Sequence, residues 1–467
     1  MKINAEQIYR EASKHLVFGF RKGQIYLKRD RYWELLSEDE AVLQICAIFD
    51  QRLMAEMSDM AVREALRRMR NTPEFQVEFV DEQMEAFINV RNGVFDAENG
   101  VLVERKEEWK FSYLLDFEYR AKSRIDDAPT FQSFLRSTFE DNQEAKSRAL
   151  LEIIGYCLSD YTKAKTAFFL IGESNSGKST VLELVKKMLP EKAVTAIPLQ
   201  RLNNRFNLAR LCGAKLNICT ELSEHSFAAI DVFKQLTANE IVTAEHKGKH
   251  PFEFRIRCKS INAGNMLPKL EKLEGMEAVL NRMTILLFRQ SISKSQQDKN
   301  LVEKMWTERN VICSLALDAL VELRAKNFLF SEPEDSKKLK IQMRLQSNAF
   351  EDFLHDKCIK AKDSREHLIV LFDAFTRYCS DNLLDVKMTR TQFSQRFCQM
   401  SGVERKKMRV NGSKPLWGIE GIRLKNVFEE DKDQDSEVSD ISGDCSCETN
   451  KENKNTRNSG TVERRME

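Results

Sequence analysis

An apolar run at residues 168–171 is followed at once by Gly172, Glu173, Ser174, Asn175, Ser176, Gly177, Lys178, Ser179 and Thr180, and then by apolar residues at helical spacing over 181–188. The run reads as a short buried strand and the repeat as one face of a helix. The two glycines let the backbone between them curl until successive amide hydrogens converge on one anion, and the helix start adds partial positive charge. In G-x-x-x-x-G-K-S spacing, Lys178 reaches the terminal phosphates of a nucleotide and the Ser179 hydroxyl ligates magnesium. The stretch predicts an α/β domain that binds a nucleotide with Mg2+.

Holding phosphate is not catalysis, so the loop needs partners. In "KLNICTELSE" Leu216, Ile218 and Cys219 form a strand that ends on Glu221, whose carboxylate could hold the magnesium shell or polarise an attacking water. Glu224 is its competitor. In "RIRCKSINAGNMLPKL" Asn265 follows another apolar stretch, placed either to hydrogen-bond a γ-phosphate or water or simply to form the turn before Met-Leu-Pro. In "AVLNRMTILLF" Arg282 stands immediately before a strand, as a surface arginine or as a finger reaching a neighbouring subunit's nucleotide.

Composition bounds the rest. The 467 residues suggest about three domains, and 42% hydrophobic content supplies real cores. There is no uninterrupted apolar run of membrane-spanning length and no apolar N-terminal signal, so the expectation is a soluble, intracellular (cytoplasmic) protein without membrane contact. The eleven cysteines are scattered singly, apart from Cys445 and Cys447, and read as reduced core residues without zinc or disulfide spacing. Residues 429–467 hold 12 acidic and 6 basic side chains, which leaves the rest of the chain with a surplus of eight cations. That mild surplus is compatible with nucleic acid. The acidic tail, 426–467, has too few apolar residues to order itself and reads as disordered.

Five stretches precede that tail. Residues 1–130 look like a mixed α+β accessory module, with a hairpin turning at Lys22-Gly23, a capping box Ser37-x-x-Glu40, and a second hairpin signal at Asn99-Gly100. Residues 131–165 read as helical, with Leu150, Leu151, Ile154 and Leu158 on one face. The phosphate-binding loop and several strands occupy 166–290, a helical segment 291–345, and a helix, helix, hairpin module 346–425.

The order of these signals resembles the superfamily 3 helicases, in particular the helicase half of phage and plasmid primase-helicases and their poxvirus relatives. The resemblance implies a P-loop motor of AAA+ type that hydrolyses ATP, with Gly172 to Thr180 as its Walker A motif and Glu221 as the Walker B acid. It makes Asn265 the sensor 1 residue and Arg282 the finger. Where the family usually carries Gly-Gly-Asp, this chain has Ala238-Asn239-Glu240, with Lys234 kept in place. "NVRNGVFDAENGVLVE" and "ALLEIIGYCLSD" look like the family's accessory domain, and "FTRYC…FSQRFCQM…GIEGIRLK" like its C-terminal winged helix. The family's primase half would lie upstream, so primer synthesis is expected of a separately encoded primase.

Between Ile241 and Phe254 the sequence reads strand, "HKGKHP", strand, a hairpin whose tip carries Lys247, Lys249 and His250. Family members of this kind thread DNA through a hexameric ring, the tip gripping backbone phosphates with little sequence preference. In the C-terminal module Phe393, Phe397 and Met400 read as core, while Arg390, Arg396 and "ERKKMRVNGSK" give a basic edge suited to DNA. Two other readings stand beside the helicase: a nucleotide-switched DNA-binding initiator or loader, and a P-loop phosphotransferase.

Overall fold

The computed structural model describes residues 3–222, 230–248, 250–268, 276–293, 295, 297–382, 384, 388–398, 400–410 and 414–426. Glu224, Lys249, Cys445, Cys447 and the acidic tail beyond residue 426 fall outside that set. The chain divides into two compact units, Met1–Arg344 and Leu345–Glu467, and the division falls within the helix Glu334–Lys357.

The first unit is built on a five-stranded parallel sheet. Its strands stand in the order Met283–Phe288, Ala167–Gly172, Lys259–Gly264, Leu216–Cys219, Val194–Thr195, so the strand that feeds the glycine-rich loop is flanked on both sides. Strand side chains alternate between faces, and here both faces are buried. Phe168 and Leu170 join one apolar cluster, which includes the helices Gln143–Leu158 and Arg309–Ala325. Ala167, Phe169 and Ile171 join a second, on the other face, with Met283, Ile285 and Leu287. Period-two burial on two faces explains why these strands read as continuous apolar runs.

The helix Gln143–Leu158 packs on Arg309–Ala325 at Gly155, where any Cβ would run into the Ala316 carbonyl oxygen. Leu150, Ile154 and Leu158 are buried, but Leu151 only partly, and the helix stops at Leu158 instead of continuing to 165. A separate helix, Pro129–Thr138, precedes it.

Local chemistry shapes the N-terminal part. Phe18–Arg21 and Gln24–Lys28 pair antiparallel around Lys22 (φ 49°) and Gly23 (φ 79°), the two left-handed residues of a tight hairpin turn. Ser37 and Glu40 exchange both bonds of the capping box at the start of the helix Glu38–Cys46. The second hairpin, Gly93–Asp96 with Val101–Val103, closes over residues 97–100, with Gly100 left-handed at φ 67°.

The second unit packs the helices Leu368–Asp381 and Arg390–Cys398 on a three-stranded antiparallel sheet in the order Cys358–His367, Leu416–Leu424, Glu404–Met408. Phe350, Phe353, Phe375, Phe393 and Phe397 form its aromatic centre, and Met400 packs beside them half-buried. Among the described residues no helix is long and apolar enough to cross a membrane.

Candidate nucleotide site

The glycine-rich loop joins the strand Ala167–Gly172 to the helix Lys178–Met188. Gly172 pairs with Phe288 on the next strand so closely that any Cβ would run into the Phe288 carbonyl oxygen. Asn175 at φ 61° and Gly177 at φ 93° are left-handed, conformations that asparagine tolerates and glycine adopts freely. The helix starts with no side-chain cap, so its first amides stay available to an anion. Glu173, Ser174, Asn175 and Ser179 are exposed, Thr180 is half-buried, and Ser176 is buried.

Lys178 is 9% exposed and folds back into the loop. Its ammonium donates to the Gly172 carbonyl at 2.7 Å, the Glu173 carbonyl at 2.6 Å and the Ser176 hydroxyl at 3.2 Å. Burial lowers its pKa. Those acceptors are neutral dipoles, so a phosphate entering the loop offers the cation a stronger partner.

Beside the loop lies a cleft of about 950 Å³. One wall is the helix Pro129–Thr138, through Thr130, Ser133, Phe134 and Ser137; another is Gln290, Ser291 and Ile292, continuing through Asp298, Lys299 and Lys304. Each wall is fixed. The Glu308 carboxylate accepts both the Thr130 and Phe131 amides at 2.9 Å, capping the helix, while the Ser291 hydroxyl donates to the Ser174 carbonyl and the Ile292 amide to the Asn175 carbonyl, each at 3.0 Å. Sequence spacing carried no signal for these walls, because Glu308 acts across 178 positions.

The register brings Asn265 and Glu221 to the edge that holds the loop. Gly264 pairs with Ile171, so Asn265 leaves the sheet beside Gly172. Cys219 pairs with Asn262, and the Leu222 amide donates to the Ala263 carbonyl at 2.9 Å, so Glu221 leaves it beside Gly264. Three strand ends at ~4.8 Å spacing set loop, asparagine and glutamate within about 10 Å. This carboxyl edge is where open α/β sheets bind ligands. Glu221 and Asn265 are exposed and stand outside the walls of the 950 Å³ cleft.

Arg282 lies at the opposite edge. The Ala167 amide donates to its carbonyl at 2.9 Å, so the strand of six residues, about 20 Å, separates it from the loop of its own chain. Its guanidinium donates to the Ala278 carbonyl at 2.8 Å, and its buried Nε has no partner among the described residues.

The hairpin Ile241–Ala244 with Phe252–Arg255 forms as read, with Val242 and Phe254 buried and Lys247 and His250 exposed at its tip around Gly248 (φ 76°). Asn239 is left-handed at φ 57°, a conformation asparagine tolerates, and donates to the Thr162 hydroxyl at 2.8 Å. Arg390 is exposed, but Arg396 is not on an open basic face: its guanidinium lies 5.1 Å from the Phe350 ring centroid and 3.7 Å from Glu351. Its helix turns that arginine toward the aromatic core, and burial lowers its pKa.

Sequence reading also passed over a buried polar cluster at the sheet's amino edge. Lys215 pairs with Asp160 at 2.6 Å and lies 3.6 Å from the Tyr113 ring centroid, while the Tyr113 hydroxyl donates to Asp160 at 2.8 Å. Lys259 donates to the Ser159 carbonyl at 2.5 Å, and burial lowers its pKa to about 8. Cys157 and Cys258 are reduced core residues, burial pushing both thiols up to about 12, whereas Cys398 is exposed. Among the described residues no group of three or more His, Cys, Asp or Glu side chains could hold a metal ion.

Fold and site define a mixed α/β protein with a parallel sheet and an anion-ready loop at its carboxyl edge. Residues 5–140 match the family described as D5 N terminal like, and residues 170–279 match a family of unknown function, DUF5906. No curated protein matches the chain. Among solved structures, the A form apo structure of the NrS-1 C terminal region superposes with a TM-score of 0.48 at 12% identity, covering 90% of this chain and 100% of that one. A second apo structure of that region gives 0.46 at 12% identity with the same coverage.

Proposed function

We propose that the chain is an ATP-dependent replicative DNA helicase of a phage, plasmid or other mobile element, translocating on DNA as a ring, most simply a hexamer. The observation that carries the reading is the register: it sets Gly172, Asn265 and Glu221 at one sheet edge and Arg282 at the other. The match of residues 5–140 to the D5 N terminal like family covers the region read as the accessory domain and supports the same assignment.

In this account residues 166–290 are an AAA+-type P-loop motor. Lys178 exchanges the Gly172 and Glu173 carbonyls for the β and γ phosphates of ATP. The donor set suits magnesium, which takes one or two carboxylates plus substrate oxygens and needs no cage of protein ligands. The Ser179 hydroxyl and the Glu221 carboxylate would hold it, and when bound it neutralises charge on the phosphates. Glu221 orients the attacking water as general base, and Asn265 hydrogen-bonds the γ-phosphate. Arg282, too far from its own loop, would serve the nucleotide of the adjoining subunit. The hairpin tip, with Lys247, Lys249 and His250, grips phosphates of the DNA strand, and the second unit is a winged helix on the same DNA.

ATP hydrolysis measured with and without a single-stranded oligonucleotide tests the assignment. Turnover stimulated by DNA supports the motor. Nucleotide binding without turnover would replace it with a switched DNA-binding module, and turnover dependent on a small acceptor with a phosphotransferase.

A further inference from the structure

We infer that Trp417 is a stacking platform for an unpaired base of single-stranded nucleic acid, with Arg405 and Lys407 on the adjoining phosphates. This rests on the nucleic-acid reading of the second unit but not on ATP hydrolysis. Large aromatic side chains are normally buried for their apolar area. Trp33, for comparison, is 8% exposed, whereas Trp417 is 47% exposed and its neighbour Leu416 48%. The tryptophan sits on the ribbon formed by Glu404–Met408 and Leu416–Leu424, at the end where the strands pass beyond Ile419 and the aromatic core.

The ring's surroundings select the partner. Lys407 is directly opposite Trp417 in the register, and its ammonium lies 5.7 Å from the ring centroid. Arg405, which pairs with Ile419 and so lies diagonally across, places its guanidinium 4.5 Å from the same ring. The described residues of 404–417 carry five cationic side chains and one anionic. Glu420 takes Lys406 and, at 2.9 Å, Arg365, and among the described residues it forms no ion pair with Arg405 or Lys407. A strand of nucleic acid matches both features, presenting phosphates to the two cations and a π face to the ring, with little sequence preference. A duplex satisfies only the cations, because its bases are already stacked and paired.

The test uses the full chain carrying Lys178→Ala, without nucleotide, and the same protein with Trp417→Ala or Trp417→Phe added. Each is titrated with a fluorescent oligo(dT) and with a blunt duplex of equal length, and thermal transitions are compared to verify folding. Trp417→Ala should weaken oligo(dT) binding about tenfold, Trp417→Phe should restore most of it, and duplex affinity should stay within about twofold. Lys407→Ala should lower the slope of log affinity against log salt by about 0.7 on the single strand. Wild-type oligo(dT) affinity in Trp417→Ala, or an equal loss on both probes, overturns the inference. Failure of the parent protein to bind either probe would sink the nucleic-acid reading beneath it as well.

Discussion

Lys178 donates to the carbonyl of Gly172, the last residue of the strand that delivers the loop, so the cation proposed to meet phosphate holds the loop closed on itself. Removing it deletes the phosphate contact and opens the loop in one step. Lys178→Ala is expected to cut ATP turnover by about 10³-fold or more. Glu221→Gln should keep nucleotide binding and lose about 10²- to 10⁴-fold in rate. Single-turnover hydrolysis beside equilibrium nucleotide binding separates the two, and normal turnover by Glu221→Gln would move the base to Glu224.

The close approach of two helices at Gly155 makes a prediction about stability alone. A Cβ there meets the Ala316 backbone, which cannot swing aside like a side chain. Gly155→Ala should destabilise the first unit by about 3 kcal/mol, seen as a lowered urea midpoint. An unchanged midpoint would mean the two helices separate at little cost.

How much of this was legible in the sequence depended on range. The loop, the Lys22-Gly23 turn and the Ser37–Glu40 box are set by neighbours within a few residues, and their chemistry is visible in order along the chain. The strand Cys358–His367 was not legible: Lys360, Lys362, Asp363 and Arg365 break any apolar alternation, and its place comes from pairing with Leu416–Leu424. Arg396 looked exposed because arginine usually is, yet Phe350 and Glu351 supply it with a ring face and a charge. The cleft walls beside the loop come from segments that meet only in the fold.

Lys259 gives a pH signature. Its folded pKa, about 8, lies below its ordinary value of 10.5, so the unfolded chain binds the proton more tightly. The stability linked to this group is therefore complete above 10.5 and is lost as pH falls through 8. Lys259→Met, which carries no charge in either state, should gain on wild type below pH 8 and lose that advantage, about 3 kcal/mol, toward pH 10.5. Chemical denaturation of both proteins across that range reads it, and a difference independent of pH would show that the ammonium is not desolvated.

Arg282 and Gly172 stand at opposite ends of the central strand, and the proposed finger therefore serves the nucleotide of a neighbouring subunit. Arg282→Ala and Lys178→Ala proteins should each be inactive, and mixing them should return part of the ATPase activity, since some interfaces then join an intact loop to an intact arginine. Normal hydrolysis by Arg282→Ala alone would remove the finger from the account.

The central claim is that ATP hydrolysis at the Gly172–Thr180 loop drives strand separation, and displacement of a labelled strand from a forked DNA duplex measures it most directly. Wild-type protein should release the strand with ATP and Mg2+, and neither wild type without ATP nor Lys178→Ala with it should do so. Steady DNA-stimulated hydrolysis with no strand released from forks of either polarity would contradict the account.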